Sequence, residues 1–258
     1  VEHEALKQFK DMGIDVVSVK KDFEAQGQES TFDLSDIMKL KDFSSQIKEV
    51  APYITSSEQL SYGSKNIYVE LFGVNKSFFD LNKLSAQTGR SLTDLDQNRY
   101  FCVIGTDVAK FLNKVGITEP LGMQLGLNNR FYTVVGILKQ TAEGGGMRPG
   151  NLNLAAITHI TTASRGFTNP DINAFIARVD IANTPSIKSM IRDYFMSTSS
   201  RIKVRVDTAE ELIANMEKQM RLFTLLLGAI GSISLIVGGI GVMNVMLISV
   251  TERRKEIG

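Results

Sequence analysis

Residues 222–250 form a run of 29 positions without a charged side chain, and the segment that follows, residues 251–258, is dense in charge. A helix crosses the roughly 30 Å hydrocarbon core of a bilayer with about 20 apolar residues, and a run without charge leaves no ion to desolvate. The sequence therefore predicts a transmembrane helix over residues 222–250. We expect the residues before it to fold as a domain outside the bilayer, with membrane lipid as a partner of the helix alone.

The composition is ordinary for a globular domain that carries one apolar segment. Over the whole chain 43% of the residues are hydrophobic and 22% are charged, and the apolar excess collects at one end. The formal net charge is +1, and no stripe of Lys and Arg precedes the apolar run. These features argue against a nucleic-acid partner.

Residue types that usually carry catalysis or metal binding are sparse. Cys102 is the only cysteine, so an intramolecular disulfide is excluded, and its apolar neighbours predict a buried thiol. His3 and His159 have no Cys or carboxylate at ligand spacing, which argues against a metal site and against a Ser/His/Asp set. Asp94 and Asp96 lie in a polar loop and are expected to serve solvation and turn formation. We therefore predict no catalytic, cofactor-binding or metal site in this chain.

The order of predicted elements indicates an α+β fold. The first part should contain a strand, a helix with Ser35 as its N-cap that ends before Pro52, and a second strand. The apolar stripe of this helix is Ile37, Leu40, Ile47 and Val50. The two strands are residues 13–19 and 53–62, and a matching strand, helix and strand near the end are residues 174–179, 186–196 and 202–206.

The middle of the chain is rich in predicted strands. These are residues 66–74, 100–104, 123–127 and 131–138, with one helix over residues 106–115. The turn Asn128-Asn129-Arg130 predicts that the last two strands form a hairpin. The resulting architecture is a split α/β sandwich built from residues 1–64 and 166–207, with a β-rich insert over residues 65–165.

A long helix is predicted from Thr208 onwards. Thr208-Ala-Glu-Glu211 matches a capping box, and the helix is expected to run through a stalk, residues 208–221, into the membrane span. At about 1.5 Å per residue, a continuous helix from Thr208 to Val250 would be roughly 65 Å long. Its small residues recur at helical spacing and predict a contact with another membrane helix. These are Gly231, Ser234, Gly238 and Gly241.

The stretch TAEGGGMRPG, residues 141–150, is the one candidate for a phosphate-binding loop. It lacks the spacing G-x-x-x-x-G-K-[ST] that a P-loop requires. We therefore interpret it as a surface loop, and such loops often contact partners.

The segment from Leu225 to Gly258, LLLGAIGSISLIVGGIGVMNVMLISVTERRKEIG, closely resembles the second membrane helix and following turn of MacB-type ABC permeases. Three further stretches are similar to parts of that family's periplasmic domain. They are VELFGVNKSFFDL from Val69, VIGTDVAKFL from Val103 and FYTVVGIL from Phe131. The resemblance covers most of the chain.

The resemblance implies a subunit in the bacterial inner membrane whose large domain lies in the periplasm. In such a subunit four membrane helices pair with those of an identical or different permease, and a cytoplasmic ABC ATPase, fused or separate, binds ATP and Mg. The resemblance also implies a Porter-like α/β subdomain and a Sabre-like insert. A periplasmic adaptor and a TolC-like outer-membrane duct would then receive a periplasmic cargo such as an antibiotic, a peptide or a toxin.

One group of site residues follows from the resemblance, and a second is our own hypothesis for a flexible loop in the insert. The T-E-R-x-x-E-I-G pattern would contact the ATPase through a charged helix beside the bilayer. Its residues are Thr251, Glu252, Arg253, Arg254, Lys255, Glu256, Ile257 and Gly258. A possible adaptor contact lies in the glycine-rich loop at Gly144, Gly145, Gly146 and Arg148.

Three alternatives remain open at the level of sequence. They are a lipoprotein-releasing permease, a cell-division permease of the FtsX type, and a single-pass receptor or anchor. We also expect the natural chain to extend beyond both Val1 and Gly258.

Overall fold

The computed structural model describes residues 15–22, 31–142, 148–180, 184–198 and 201–257. Its strands are β1 (Val16–Lys21), β2 (Ile47–Tyr62), β3 (Lys65–Val74), β4 (Ala86–Gly89), β5 (Phe101–Ile104), β6 (Gln124–Leu127), β7 (Arg130–Leu138), β8 (Ala155–His159), β9 (Ala174–Val179) and β10 (Val204–Thr208). Its helices are α1 (Leu34–Phe43), α2 (Lys76–Leu81), α3 (Thr106–Lys114), α4 (Ile160–Gly166), α5 (Thr184–Ser197) and α6 (Ala209–Ile257). The fold is α+β with a long terminal helix, as the sequence predicted.

All described strands belong to one mixed sheet in the order β10-β1-β9-β2-β3-β8-β5-β7-β4, with β6 paired to β7. The first four strands in this order come from the two ends of the domain, and the others come from its middle. The pairs β3–β8 and β5–β7 are parallel, and the rest are antiparallel. The predicted boundary at residues 64 and 65 falls at the tip of the β2–β3 hairpin, within this continuous sheet.

The long strand β2 joins the two parts of the sheet. Its first part pairs with β9 from Ile47 to Tyr53, and its second part pairs with β3 from Tyr53 to Tyr62. The prediction that Ile47 and Val50 belong to a helix that ends before Pro52 was therefore wrong. Pro52 lies inside the strand, opposite Phe175.

The N-cap of α1 is Asp33 and not Ser35. The Asp33 carboxylate accepts the Ser35 N–H at 2.7 Å, and the first turn of the helix begins at Leu34. Hydrogen bonding by the Ser35 side chain, together with that of its backbone N–H, lowers the pKa of Asp33. Both Asp and Ser are good N-caps, and the two candidates lie two residues apart, so sequence preference alone could not separate them.

The β-hairpin in the middle of the chain was predicted correctly. Asn128 and Asn129 both have positive φ, 49° and 58°, which fits a two-residue turn between β6 and β7. The Asn128 side chain also donates to the Gly166 carbonyl at 2.7 Å, which ties the turn to the end of α4. The elements β4, β8, α2 and α4 were not predicted, because each is short and none shows the alternation or period of its type.

An aromatic cluster holds the helices of the terminal part against the sheet. Phe32, Phe175 and Phe195 are buried, and their ring centroids lie 5.0–5.6 Å apart in edge or tilted arrangements. Helix α5 contributes Ile187, Ile191 and Phe195 to this core, each at most 1% exposed. The Tyr194 hydroxyl of α5 also donates to the Asp36 carbonyl of α1 at 2.8 Å, so the two helices lie side by side on the sheet.

The contacts divide the chain into two compact units, residues 1–211 and 212–258. Strand β10 lies at one edge of the sheet beside β1, where Val17 is opposite Thr208. The second unit consists of the rest of α6. Within the described residues, α6 is the one helix long and apolar enough to cross a membrane, over Ala209–Val250.

Candidate functional site: the start of the C-terminal helix

Strand β10 passes directly into helix α6, because Thr208 is the last residue of the strand and Ala209 is the first of the helix. Both residues are buried. The Thr208 Oγ1 accepts the Glu211 N–H at 3.3 Å, which is the N-cap contact that the sequence predicted. The helix therefore starts from a paired strand of the sheet, with no loop residue between the two elements.

Charged side chains surround this start. The Glu211 carboxylate, in the first turn of α6, forms an ion pair with the Lys188 Nζ of α5. On β10, Asp207 lies 3.1 Å from Arg205 and 3.7 Å from Lys20 of the neighbouring strand β1. Glu211 thus connects the first turn of α6 to α5, and Asp207 connects β10 to β1.

The predicted helix-packing residues Gly231, Ser234, Gly238 and Gly241 all lie on α6. Apart from its chain neighbours and the nearby backbone of α6 itself, a Cβ atom added at any of the three glycines would meet no atom of the described residues within 4 Å. The Ser234 Oγ donates to the Ile230 carbonyl at 2.9 Å, so its hydroxyl is satisfied within its own helix. The stripe has room for a neighbouring helix, and its role as a helix contact stays a prediction.

The predicted ATPase-coupling residues continue α6. The helical backbone extends through residues 251–257, and Gly258 lies outside the described residues. The charged pattern is therefore presented on a helix that is continuous with the apolar run. The contact of Thr251–Gly258 with an ATPase stays a prediction.

The predicted adaptor contact falls partly outside the described residues, since Gly144, Gly145 and Gly146 lie there. Arg148 is described, and its guanidinium donates to the carbonyls of Asn82 at 3.3 Å and Ala142 at 3.4 Å. Ala142 and Arg148 are the described residues on either side of residues 143–147, and we call them the base of the glycine-rich segment. The hydrogen bond between them closes this base. An adaptor contact at these positions stays a prediction.

Asn153 fixes the other side of the same base, and sequence reasoning missed it. Its side chain is 2% exposed, and its Oδ1 accepts from Thr141 N at 2.9 Å and from the Thr106 and Thr141 hydroxyls at 3.1 Å each. Its Nδ2 donates to the Thr141 carbonyl at 2.8 Å. The Asn153 amide therefore holds Thr141, before the glycine-rich segment, against Thr106 of α3. No local sequence pattern predicts this role of Asn153.

His159 is a structural residue at the junction of β8 and α4, a role that the sequence did not predict. Its Nδ1 accepts the Thr161 N–H at 3.3 Å as an N-cap and lies 2.9 Å from the Thr161 hydroxyl. Its Nε2 lies 3.9 Å from Asp94 Oδ1, at the edge of a cleft of about 510 Å³. Burial lowers the pKa of His159, and the charges of Asp94 and Asp96 oppose this shift.

Asp96 is buried, in contrast to the prediction of a solvated carboxylate. It accepts two hydrogen bonds from Arg90, at 2.7 and 2.8 Å, and one from the Thr93 N–H at 2.9 Å. The hydrogen bonds with Arg90 lower the pKa of Asp96. The predicted turn role is correct, since Asp94–Asp96 form a short 3-10 helix.

Reactive chemistry is weakly represented in the parts of the chain that the structure describes. The Cys102 thiol is buried, and its burial raises its pKa to about 12, so it is a poor nucleophile near neutral pH. The described residues contain no group of three or more His, Cys, Asp or Glu side chains that could bind a metal ion.

Comparisons with known proteins point to one family. The family described as "MacB-like periplasmic core domain" matches residues 1–194. The chain is 37% identical over 232 residues to "Macrolide export ATP-binding/permease protein MacB" of Aggregatibacter actinomycetemcomitans, covering 83% of this chain and 33% of that protein. It is 31% identical over 239 residues to "Uncharacterized ABC transporter permease YknZ" of Bacillus subtilis, covering 89% of this chain and 57% of that protein.

Solved structures show the same fold. The periplasmic region of MacB from Actinobacillus actinomycetemcomitans matches with a TM-score of 0.64 at 19% identity, covering 83% of this chain and 98% of that one. The extracellular domain of the transporter YknZ from Gram-positive bacteria matches with a TM-score of 0.57 at 19% identity, covering 75% and 100%. The chain spans about a third of the length of the MacB relatives it matches.

Proposed function

The chain belongs to the family of MacB-like periplasmic core domains of ABC transporter permeases, and we propose that it is the part of an exporter subunit that transmits ATP-driven movement across the membrane. Movement of the membrane helices would reach the extracytoplasmic domain through α6. This movement would drive efflux of a periplasmic substrate, such as an antibiotic, a peptide or a toxin, through an adaptor and an outer-membrane duct. Substrate need not cross the inner membrane in this scheme.

The observation that supports the proposal is the direct connection between β10 and α6. A helix transmits displacement along its axis when its end is fixed, whereas a flexible loop would absorb the same displacement. Thr208 is paired with Val17 in the sheet, and its hydroxyl caps the helix that continues to Ile257. The apolar run and residues 251–257 therefore belong to one helix, and this helix begins directly after the edge strand β10.

The proposal includes an ABC ATPase, fused or separate, that binds ATP and Mg on the cytoplasmic side. Residues 251–258 would dock on it by ion pairs, and this contact would be repeated in a homodimer or heterodimer of permeases in the inner membrane. The names of the MacB relatives, "ATP-binding/permease protein", combine both activities. For this chain, the large domain would face the periplasm.

The proposal can be tested by ATP hydrolysis of the complete complex in lipid nanodiscs, with and without the adaptor. We expect Glu252→Lys with Glu256→Lys to abolish the adaptor-stimulated part of hydrolysis while assembly is retained. A matched control is Glu210→Lys with Glu217→Lys, which makes the same charge change before the apolar run. Equal stimulation in the native and Glu252/Glu256 variants would refute transmission through this segment.

The adaptor contact can be tested by site-specific photo-cross-linking. A photoreactive residue at Gly145 should give a product with the adaptor, whereas the same residue at Lys39, on the exposed face of α1, should give none. No adaptor product at Gly145 would remove the glycine-rich loop from the proposed interface.

A further inference from the structure

We infer that Lys188 and Glu211 form a positioning pair, through which helix α5 holds the first turn of α6 so that movement of α6 reaches the sheet. This inference deepens the proposed function and rests on it. The two residues lie 23 positions apart in sequence, and they meet because α5 packs beside β10.

The cationic partner of the pair is held in place by its own helix. The Lys188 side chain is only 16% exposed, and the residues beside it and one turn on, Ile187 and Ile191, are fully buried. Burial of the Lys stem restricts its rotamers, so the ammonium group has less freedom to lose when it binds Glu211. The pair is therefore better ordered than a contact between two freely exposed side chains.

Glu211 is attached to the domain twice. Its N–H donates to the Thr208 hydroxyl at 3.3 Å, and its carboxylate binds Lys188. The first contact leads to strand β10 and the second leads to α5. A displacement of this turn must therefore act on both elements or break one of the contacts.

Glu210 provides an internal comparison. It is also in the first turn of α6 and is exposed, and no hydrogen bond or ion pair of its side chain is seen in the part of the chain that the structure describes. Both acidic residues favour the positive end of the helix dipole equally. Glu211 reaches Lys188, and Arg192 of the same helix also acts on its charge, so the difference between variants at the two positions reports on the attachment of Glu211 to α5.

The test is hydrogen exchange, measured by mass spectrometry on the full chain assembled with its ATPase in lipid nanodiscs. Without nucleotide, we expect Glu211→Lys to speed exchange in the first turns of α6 about two- to fivefold relative to Glu210→Lys, as fits the loss of an ion pair whose carboxylate is about half exposed. Lys188→Glu combined with Glu211→Lys should restore slow exchange, and Lys188→Glu combined with Glu210→Lys should not.

The second readout is the change in exchange on adding ATP with vanadate. In the native protein we expect this change in α6 and also in β10 and β1, and in Glu211→Lys we expect it to persist in α6 but fall at least threefold in the two strands. Equal basal exchange in the Glu210 and Glu211 variants would overturn the contact. Unreduced strand responses in Glu211→Lys would overturn its positioning role.

Absence of any nucleotide response in the native strands would instead refute the proposed function and this role together. In that case the basal difference between the Glu211 and Glu210 variants would still show whether the ion pair anchors the helix. The two failures therefore give different patterns of exchange.

Discussion

Replacing Asn153 by Ala should destabilise the domain far more than the loss of one exposed amide does. The substitution removes an acceptor used by the Thr106 hydroxyl and by the N–H and hydroxyl of Thr141, and a donor to the Thr141 carbonyl. Each such bond contributes about 1 kcal/mol net, and a buried group left without a partner costs about 1–3 kcal/mol. Since Thr141 is half-buried and can regain water, we expect a total loss of about 3 kcal/mol.

The assay is urea unfolding of a chain that ends at Glu211, followed by circular dichroism, because residues 1–211 form a compact unit of their own. A loss of about 3 kcal/mol corresponds to roughly 6–12 °C in the melting temperature for a domain of this size. The matched control is Asn66→Ala, which removes an exposed amide from β3 and should change the free energy of unfolding by less than about 0.5 kcal/mol. A loss below about 1 kcal/mol for Asn153→Ala, or one equal to the control, would refute the argued role of the buried amide.

Three further predictions address other buried positions. Because burial lowers the pKa of His159 in the folded state, the unfolded chain binds this proton more readily, so the free energy of unfolding should fall as the pH drops below about 6.5. His159→Asn, which can still cap α4, should remove that part of the pH dependence in urea titrations, and an unchanged slope would contradict the assignment. Cys102, whose pKa is raised to about 12, should resist maleimide at pH 7.5 until urea unfolds the domain; rapid labelling of the folded protein would argue against its burial. Gly73→Ala would place a Cβ 2.0 Å from the Ala163 Cβ and should cost about 1–3 kcal/mol, while Ala163→Gly in the same chain should restore more than half of it in urea unfolding, and no recovery would show that this contact is not the cause.

Parts of the fold with a local signal could be predicted from sequence. The alternation in β3, the Asn128-Asn129 turn and the charge-free run of α6 each depend on residues close together in the chain. Ile47 and Val50 show the limit of this reasoning, because their spacing of three residues fits one face of a helix, yet both are buried in β2, whose register shifts between Ile47 and Glu49. Strand β9, whose Ala177 is opposite Val50, decides between the two, and it lies more than a hundred residues away.

The candidate site divides in the same way. Thr208 and Glu211 are three residues apart, so their capping contact could be predicted from a local pattern. Lys188 could not be assigned to Glu211, because the contact requires the packing of α5 beside β10. Asn153 and Asp96 were missed for a related reason, since polar residues in loops usually face water and only the three-dimensional fold shows that these two are buried.

The neighbouring positions of β1 and β10 have a consequence for how this domain can change in evolution and in the laboratory. Strands β1 and β10 are antiparallel neighbours, and residues 22–203 connect the end of β1 to the start of β10. The two strands lie about 5 Å apart, which is the ordinary spacing in a sheet. An isolated two-stranded hairpin is marginally stable, so such a connection can be exchanged for another domain only if that domain also supports the two strands, as β9 supports β1 here. In a chimaera that replaces the residues between β1 and β10 by such a domain, the segments before β1 and after β10 should keep their native spacing.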